Sequence, residues 1–228
     1  MNFGPRRTNQ DVFAEHLALA GARILDVGCG TGRMARLLTR MGGKVTGLEP
    51  GEVQLERARM VEPEGVETYH EGVAQKIPFA DTCFDIIFFF NSLHHVPPPM
   101  MAQGLAEASR VLAPGGVLFI AEPVAAGSFH EMIKPYHDET EVRALAIEAL
   151  ERLAKSFNNF RRIAYVSDTK FESFISFRAG QIAMDRARGD LDKAEVADLR
   201  KRFESFGEAR ADGIHFDQPT QAFIMEKG

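Results

Sequence analysis

The chain has 228 residues, 45% of them hydrophobic and 26% charged, with a formal net charge of -5. That composition supplies one core of ordinary size and excludes a disordered, collagen-like or disulfide-stapled chain, since only Cys29 and Cys83 are present. A negative balance also argues against a surface that holds polyanions by bulk attraction, which needs clustered Lys and Arg, so no nucleic-acid partner is expected.

At the start, Arg6 and Arg7 are not followed by an apolar stretch, so no cleaved secretion signal is expected. The longest apolar run, Phe84 to Phe90 with Asp85 inside it, is far short of the ~20 residues a membrane span requires. The chain is therefore expected to be soluble and cytoplasmic, with reduced thiols and no membrane partner. A first helix is predicted from about Asp11 to Leu19, a cap to close over a ligand with Phe3 and Arg7. Short apolar runs then alternate with helical patterns, the sequence form of repeated βαβ units. Strands are expected at Arg23 to Val27, Lys44 to Leu48, Glu67 to His70, Phe84 to Phe90 and Val117 to Ala121. Between the first two, Met34, Leu37, Leu38 and Met41 repeat at helical spacing until Gly42-Gly43; before the fifth, Met101, Leu105, Ala108 and Leu112 do so until Pro114-Gly115-Gly116.

The second half predicts an amphipathic helix over Glu139 to Phe157, a strand at Arg162 to Val166, and helices over Phe171 to Arg188 and Lys193 to Phe206. A strand pair, Gly213 to Phe216 and Gln221 to Met225, is expected to turn at Asp217-Gln218-Pro219. The fold class is α/β: a doubly wound, mostly parallel seven-stranded sheet with an antiparallel C-terminal strand and helices on both faces. A single domain is expected over 1–228, with an N-terminal cap helix in 1–20, a parallel βαβ half in 21–125 and further helices and C-terminal strands in 126–228.

The most informative segment is Ile24 to Arg33, a strand running into a turn with glycines at Gly28, Gly30 and Gly32. Such a turn takes positive φ and lets a ligand lie against the main chain. Dinucleotide binding wants a third glycine at the fifth residue after Gly28, which is Arg33. A GxGxG turn preceded by Asp26 fits better to a ligand with an amino acid tail, whose ammonium a carboxylate can hold.

This segment resembles the first motif of class I S-adenosylmethionine-dependent methyltransferases, in the branch acting mainly on small molecules. The resemblance continues in order through Val45 to Glu49, Glu71 to Phe79, Phe84-Asp85, Leu93-His94-His95-Val96 and Glu107 to Gly116. It implies that S-adenosylmethionine is the cofactor and S-adenosylhomocysteine the product, with a small-molecule acceptor. The implied cofactor-binding residues are Asp26, Gly28, Cys29 and Gly30, then Glu49 and Pro50 at the ribose, Gly72, Val73 and Ala74 around the adenine, and Asn91 beside the methyl group. The family commonly has Asp where this chain has Val73, so a backbone carbonyl, Gln75 or apolar contact is left to hold the adenine. His94 and His95 are the candidate general bases, against a structural role. No metal is expected, since no carboxylate or Cys at ligand spacing completes a set with them. Glu122, His130, Tyr136, His137 and Asp138 are candidates for acceptor recognition, with Asp138 alternatively capping the following helix. The rival readings are a binding protein that holds the same cofactor without turnover, and a nicotinamide oxidoreductase.

Overall fold

The computed structural model describes residues 3–157, 159–184 and 186–228. Eight strands lie among them: β1 (Arg23–Val27), β2 (Lys44–Glu49), β3 (Thr68–Glu71), β4 (Phe84–Phe90), β5 (Leu112–Pro123), β6 (Asn159–Phe171), β7 (Glu208–Arg210) and β8 (Gly213–Glu226). The helices are α1 (Asn9–His16), α2 (Arg33–Arg40), α3 (Glu52–Met60), α4 (Met101–Val111), α5 (Gly127–Ile133), α6 (Thr140–Ala154), α7 (Phe174–Met184) and α8 (Lys193–Phe206). The sheet order is β3-β2-β1-β4-β5-β8-β6, with β7 on β8. Strands β1 to β5 pair in parallel, and the C-terminal strands are antiparallel. The order reverses beside β1, which places the ends of β1, β2 and β4 where ligands enter open α/β sheets.

The chain forms two compact units. The larger comprises Asn9–Glu122, Val142–Ile163 and Gln221–Gly228; the smaller comprises Met1–Thr8, Pro123–Glu141 and Ala164–Thr220. In the larger unit, alternation along the central strands sends side chains to opposite faces. Phe88 and Phe119 meet Phe13 of α1 edge-on at 5.0 and 5.5 Å, while Ile87, Phe89, Leu118 and Ile120 join Met101, Leu105, Ala146 and Leu150 of α4 and α6 in the main core. The Met101 stripe is thus core, Met34 and Leu38 of α2 are buried while Leu37 and Met41 are half-buried, and Val12 and Phe13, fully buried, fix α1 to the sheet. In the smaller unit, Phe174, Phe177, Phe203 and Phe216 close a second, aromatic core. Phe171 packs on it from the end of β6. Along the start of the chain, Arg7 N–H donates to Val166 O (3.1 Å) and Val166 N–H to Pro5 O (3.0 Å).

Several boundaries depart from the sequence reading. Gly213 to Glu226 is one continuous strand in place of the expected pair, and β7 makes the eighth strand. Proline is tolerated in β8 because the chain keeps its other partners there: Pro219 O accepts from Val124 N–H (2.8 Å) and Gln218 O from the Ser167 hydroxyl (3.0 Å). Helix α7 starts at Phe174, three residues later than expected, because Ser173 caps it: its Oγ accepts from Ser176 N–H (3.1 Å). Leu112 is a strand residue paired with Phe84, so α4 ends at Val111, ahead of the Pro-Gly-Gly stop. Helix α8 matches its prediction, fixed by a capping box between Asp192 and Glu195.

The β7–β8 hairpin carries a titrating clamp. His215 Nδ1 meets Asp168 Oδ2 at 2.6 Å and Nε2 meets Asp212 Oδ1 at 2.8 Å. The Asp168 bond, then that of Asp212, raises the imidazole above its usual range, and the His215 and Lys170 bonds hold Asp212 down at about 2. The folded protein therefore binds the His215 proton more tightly than the unfolded chain. That contribution is complete below the unfolded value of about 6.5 and is lost as pH rises through the folded one. Asp168→Asn is accordingly expected to lower the melting temperature most near about pH 6, with the gap to wild type narrowing toward about pH 9; a gap constant across that range contradicts the clamp.

Candidate active site

The glycine turn after β1 holds three left-handed residues in alternation: Gly28 at φ 74°, Gly30 at 54° and Gly32 at 78°. Each glycine meets a different environment. A Cβ on Gly28 would lie 2.6 Å from Ser92 Cβ, and one on Gly32 would lie 2.6 Å from the Tyr69 hydroxyl, so both are required by close packing. A Cβ on Gly30 would meet nothing within 4 Å. The turn is thus braced on both sides and open in the middle. Its position is held by Gly28 and Cys29 N–H groups donating to Leu48 O (2.8 and 3.1 Å) and by Arg36, which donates to Thr31 O (2.9 Å). The Cys29 side chain packs against β2, where a Cβ on Gly47 would lie 2.7 Å from its sulfur, and burial raises its thiol pKa.

Glu49 ends β2 facing this turn. Its Oε2 accepts from Gly30 N–H (2.9 Å) and its Oε1 from Gly51 N–H (2.9 Å). A carboxylate has about four acceptor positions, so each oxygen keeps capacity for a further donor. Pro50 beside it is exposed. Asp26 pairs across the sheet with Gly47 and Phe88 and is 1% exposed. Burial, then the charge of Glu49, pushes its pKa up to about 7, against the relief of a backbone bond from Ala35. Its Oδ2 has no hydrogen-bond partner, and neither has the buried Oδ1 of Asn91, which directly follows β4 at φ 53°. Buried acceptors are almost always paired. Two orphaned acceptors at neighbouring strand ends therefore suit a ligand that brings donors.

Gly72 donates its N–H to Glu49 O (3.2 Å), and a Cβ there would strike Leu48 at 2.7 Å. Val73 is half-buried and Ala74 buried against α4 at Gly104. This loop is braced by two residues of α4 to which the sequence reading gave no role. Arg110 donates to Ile77 O and Phe79 O (both 2.9 Å), and Glu107 accepts from Ile77 N–H (3.0 Å). Their spacing of three on one helix was the available signal. Gln75 O accepts from the Gln103 side-chain amide (2.9 Å).

The two histidines separate. His94 is buried and its Nδ1 is bonded to Glu122 Oε2, while Glu122, fully buried at the end of β5, accepts with Oε1 from the N–H groups of Ser92 (3.1 Å) and Leu93 (2.8 Å). This carboxylate ties β5 to the segment after β4. His95 is exposed, its ring centroid 4.1 Å from that of His94. Glu122→Ala is expected to destabilise the protein by roughly 3–5 kcal/mol, because it strips three donors of a buried acceptor. His95→Ala is expected to stay within about 0.5 kcal/mol of wild type. Denaturant titration measures both, and equal effects contradict the division.

The polar residues after β5 belong mostly to local structure. Asp138 Oδ1 accepts from Thr140 N–H (2.9 Å) at the start of α6, which bears out the capping alternative. His130 is buried within α5, and Tyr136 donates to Asp198 Oδ2 (2.5 Å). No helix among the described residues is long and apolar enough to cross a membrane.

Residues 25–120 match the family model described as a methyltransferase domain. The chain is 34% identical to a ubiquinone biosynthesis O-methyltransferase of Nitrosococcus oceani, over 58% of this chain and 66% of that one. Its matches to the first three such relatives span 66%, 47% and 57% of their length. In fold it resembles a putative methyltransferase from Bacillus halodurans, with TM-score 0.63, 19% identity and coverage of 96% of this chain and 98% of that one. It also resembles the [4+2]-cyclase SpnF, with TM-score 0.58, 22% identity and coverage of 96% and 80%; at such identities the likeness is one of fold. The residues that match the methyltransferase-domain model run from β1 into β5 and carry the whole glycine-turn site.

Proposed function

We propose that this protein transfers the methyl group of S-adenosylmethionine to an oxygen, nitrogen or carbon atom of a small molecule. The observation that carries the reading is the open centre of the turn at Gly30, set between the Glu49 carboxylate and the orphaned Oδ2 of Asp26. These groups fit the cofactor: Asp26 would hold its ammonium, Glu49 the ribose hydroxyls and Asn91 a further donor, with Gly28 and Cys29 shaping the turn and Pro50 following the ribose acid. Gly72, Val73 and Ala74 would flank the adenine; Val73 offers no carboxylate, so apolar contact and the backbone must serve. When bound, S-adenosylmethionine supplies a methyl group already electrophilic on its sulfonium. The protein's task is then mainly to place and desolvate the acceptor.

His94 is committed to Glu122 and acts by holding the segment after β4; His95, exposed, is the imidazole able to take a proton from an acceptor. His95→Ala is expected to lower turnover by about 10²- to 10⁴-fold with cofactor affinity unchanged, and equal loss of both, or of neither, assigns it a structural role. The net charge of -5 favours a small-molecule acceptor over nucleic acid, and two free cysteines suit the cytoplasm. Incubation with methyl-labelled cofactor and a panel of phenols, amines and enolisable ketones tests the activity. Label transfer with release of S-adenosylhomocysteine supports it; tight binding of S-adenosylhomocysteine without transfer to any of them supports the binding-protein reading instead.

A further inference from the structure

The smaller unit contains a cavity of about 160 Å³ whose lining joins Ile133, Leu191 and Leu199 to Arg178, Arg188 and Gln181. Such a mixture is unusual for a wall that only packs. A half-buried guanidinium loses part of its hydration and needs acceptors in return. Arg178 has one, the carbonyl oxygen of Arg188 at 2.7 Å, and no carboxylate pairs with it among the described residues. Arg188 donates to Gln181 Oε1 (2.6 Å), which fixes the amide of Gln181, 5% exposed, so that its oxygen is spent on the protein and its two N–H donors are not. Arg188 also reaches His137 Nε2 (2.7 Å), and Glu139 lies 2.7 Å from the same nitrogen. The Tyr136 hydroxyl, turned to Asp198, leaves its ring as a wall. The donors of Arg178 and Gln181 thus gather around Arg188, and Ile133, Leu191 and Leu199 give the same cavity apolar wall.

We propose that this cavity binds a small organic carboxylate, its anionic head on Arg178 and the Gln181 amide and its apolar body against Ile133, Leu191 and Leu199. A planar carboxylate matches the guanidinium fork in two parallel hydrogen bonds. The apolar floor, which would gain nothing from an inorganic anion, favours a ligand with a hydrocarbon portion. The proposal stands independently of the cofactor reading, since every residue it uses lies in the smaller unit.

Isothermal titration of the intact protein with benzoate, without cofactor, tests it. Saturable binding of benzoate is expected, with benzamide, its uncharged counterpart, and inorganic phosphate each at least about tenfold weaker. Arg178→Met, which keeps the aliphatic stem and removes the charge, is expected to weaken benzoate by about ten- to a hundredfold, the range for loss of a charge-assisted hydrogen bond. Circular dichroism establishes that the variant is folded; should it not be, the three-ligand comparison on wild type decides alone. Absence of benzoate binding, equal affinity for benzamide, preference for phosphate, or unchanged benzoate affinity in folded Arg178→Met each overturns the proposal.

Discussion

Asp26→Asn is expected to bind S-adenosylhomocysteine about ten- to a hundredfold more weakly than wild type and yet to melt at a higher temperature at about pH 8. The two effects share one cause. Asp26 is 1% exposed with its Oδ2 unpartnered, and its pKa stands at about 7. A raised carboxyl means that the folded protein holds a proton the unfolded chain releases near about pH 4. Folding stability therefore falls as pH rises from about 4 to about 7, and above that the ionised group costs up to roughly 4 kcal/mol, an upper bound from the size of the shift. Asparagine removes that cost. A cationic ligand offsets it differently, by pairing with the ionised form, so binding must displace the proton. Wild-type affinity is thus expected to weaken as pH drops from about 8 to about 6, by at most about tenfold per unit, while Asp26→Asn stays weak and flat. Calorimetry across that range checks both. Affinity independent of both pH and the substitution shows that Asp26 does not face the ligand.

The second large effect is at Gly30. Gly30→Val should abolish cofactor binding, by more than about a hundredfold, while the protein remains folded. No atom lies within 4 Å of the added Cβ, so the fold loses only the cost of a β-branched residue at φ 54°, on the order of 1–3 kcal/mol. The space the valine fills is the space the ligand needs. Gly28 supplies the contrast: a Cβ there stands 2.6 Å from Ser92 Cβ, whose hydroxyl in turn donates to Val27 O (2.7 Å). Gly28→Val should therefore break the β1–β4 junction and lower stability before any effect on binding is measurable. Circular dichroism melts with parallel titrations separate the two variants. Normal binding by folded Gly30→Val contradicts the placement of the ligand on this turn.

What was legible in the chain is what local chemistry encodes. The alternation of glycines at 28, 30 and 32 announced positive φ, and all three have it. Buried parallel strands such as Phe84 to Phe90 read as near-continuous apolar runs, interrupted here only by Asp85, and that span was right to the residue. Helix α3 escaped notice because only Leu55 and Ala58 of its nine residues are buried, too sparse a stripe to register. β8 was divided at Asp217-Gln218-Pro219 because those residue types signal a turn, whereas tertiary partners keep the strand extended through them. Glu122 read as a polar residue after a strand, available to an acceptor. Its partner His94 stands 28 residues away, and a bond of that range is set by the pairing of β4 with β5 and by no local pattern.

A crystal structure grown with S-adenosylhomocysteine puts the most weight on the least assumption. The account predicts the nucleoside across the ends of β1 and β2, its hydroxyls within 3.2 Å of Glu49, its ammonium on Asp26 Oδ2 and its chain over Gly30. Density for the ligand elsewhere on the protein, with Asp26 Oδ2 and the space above Gly30 untouched, would contradict it.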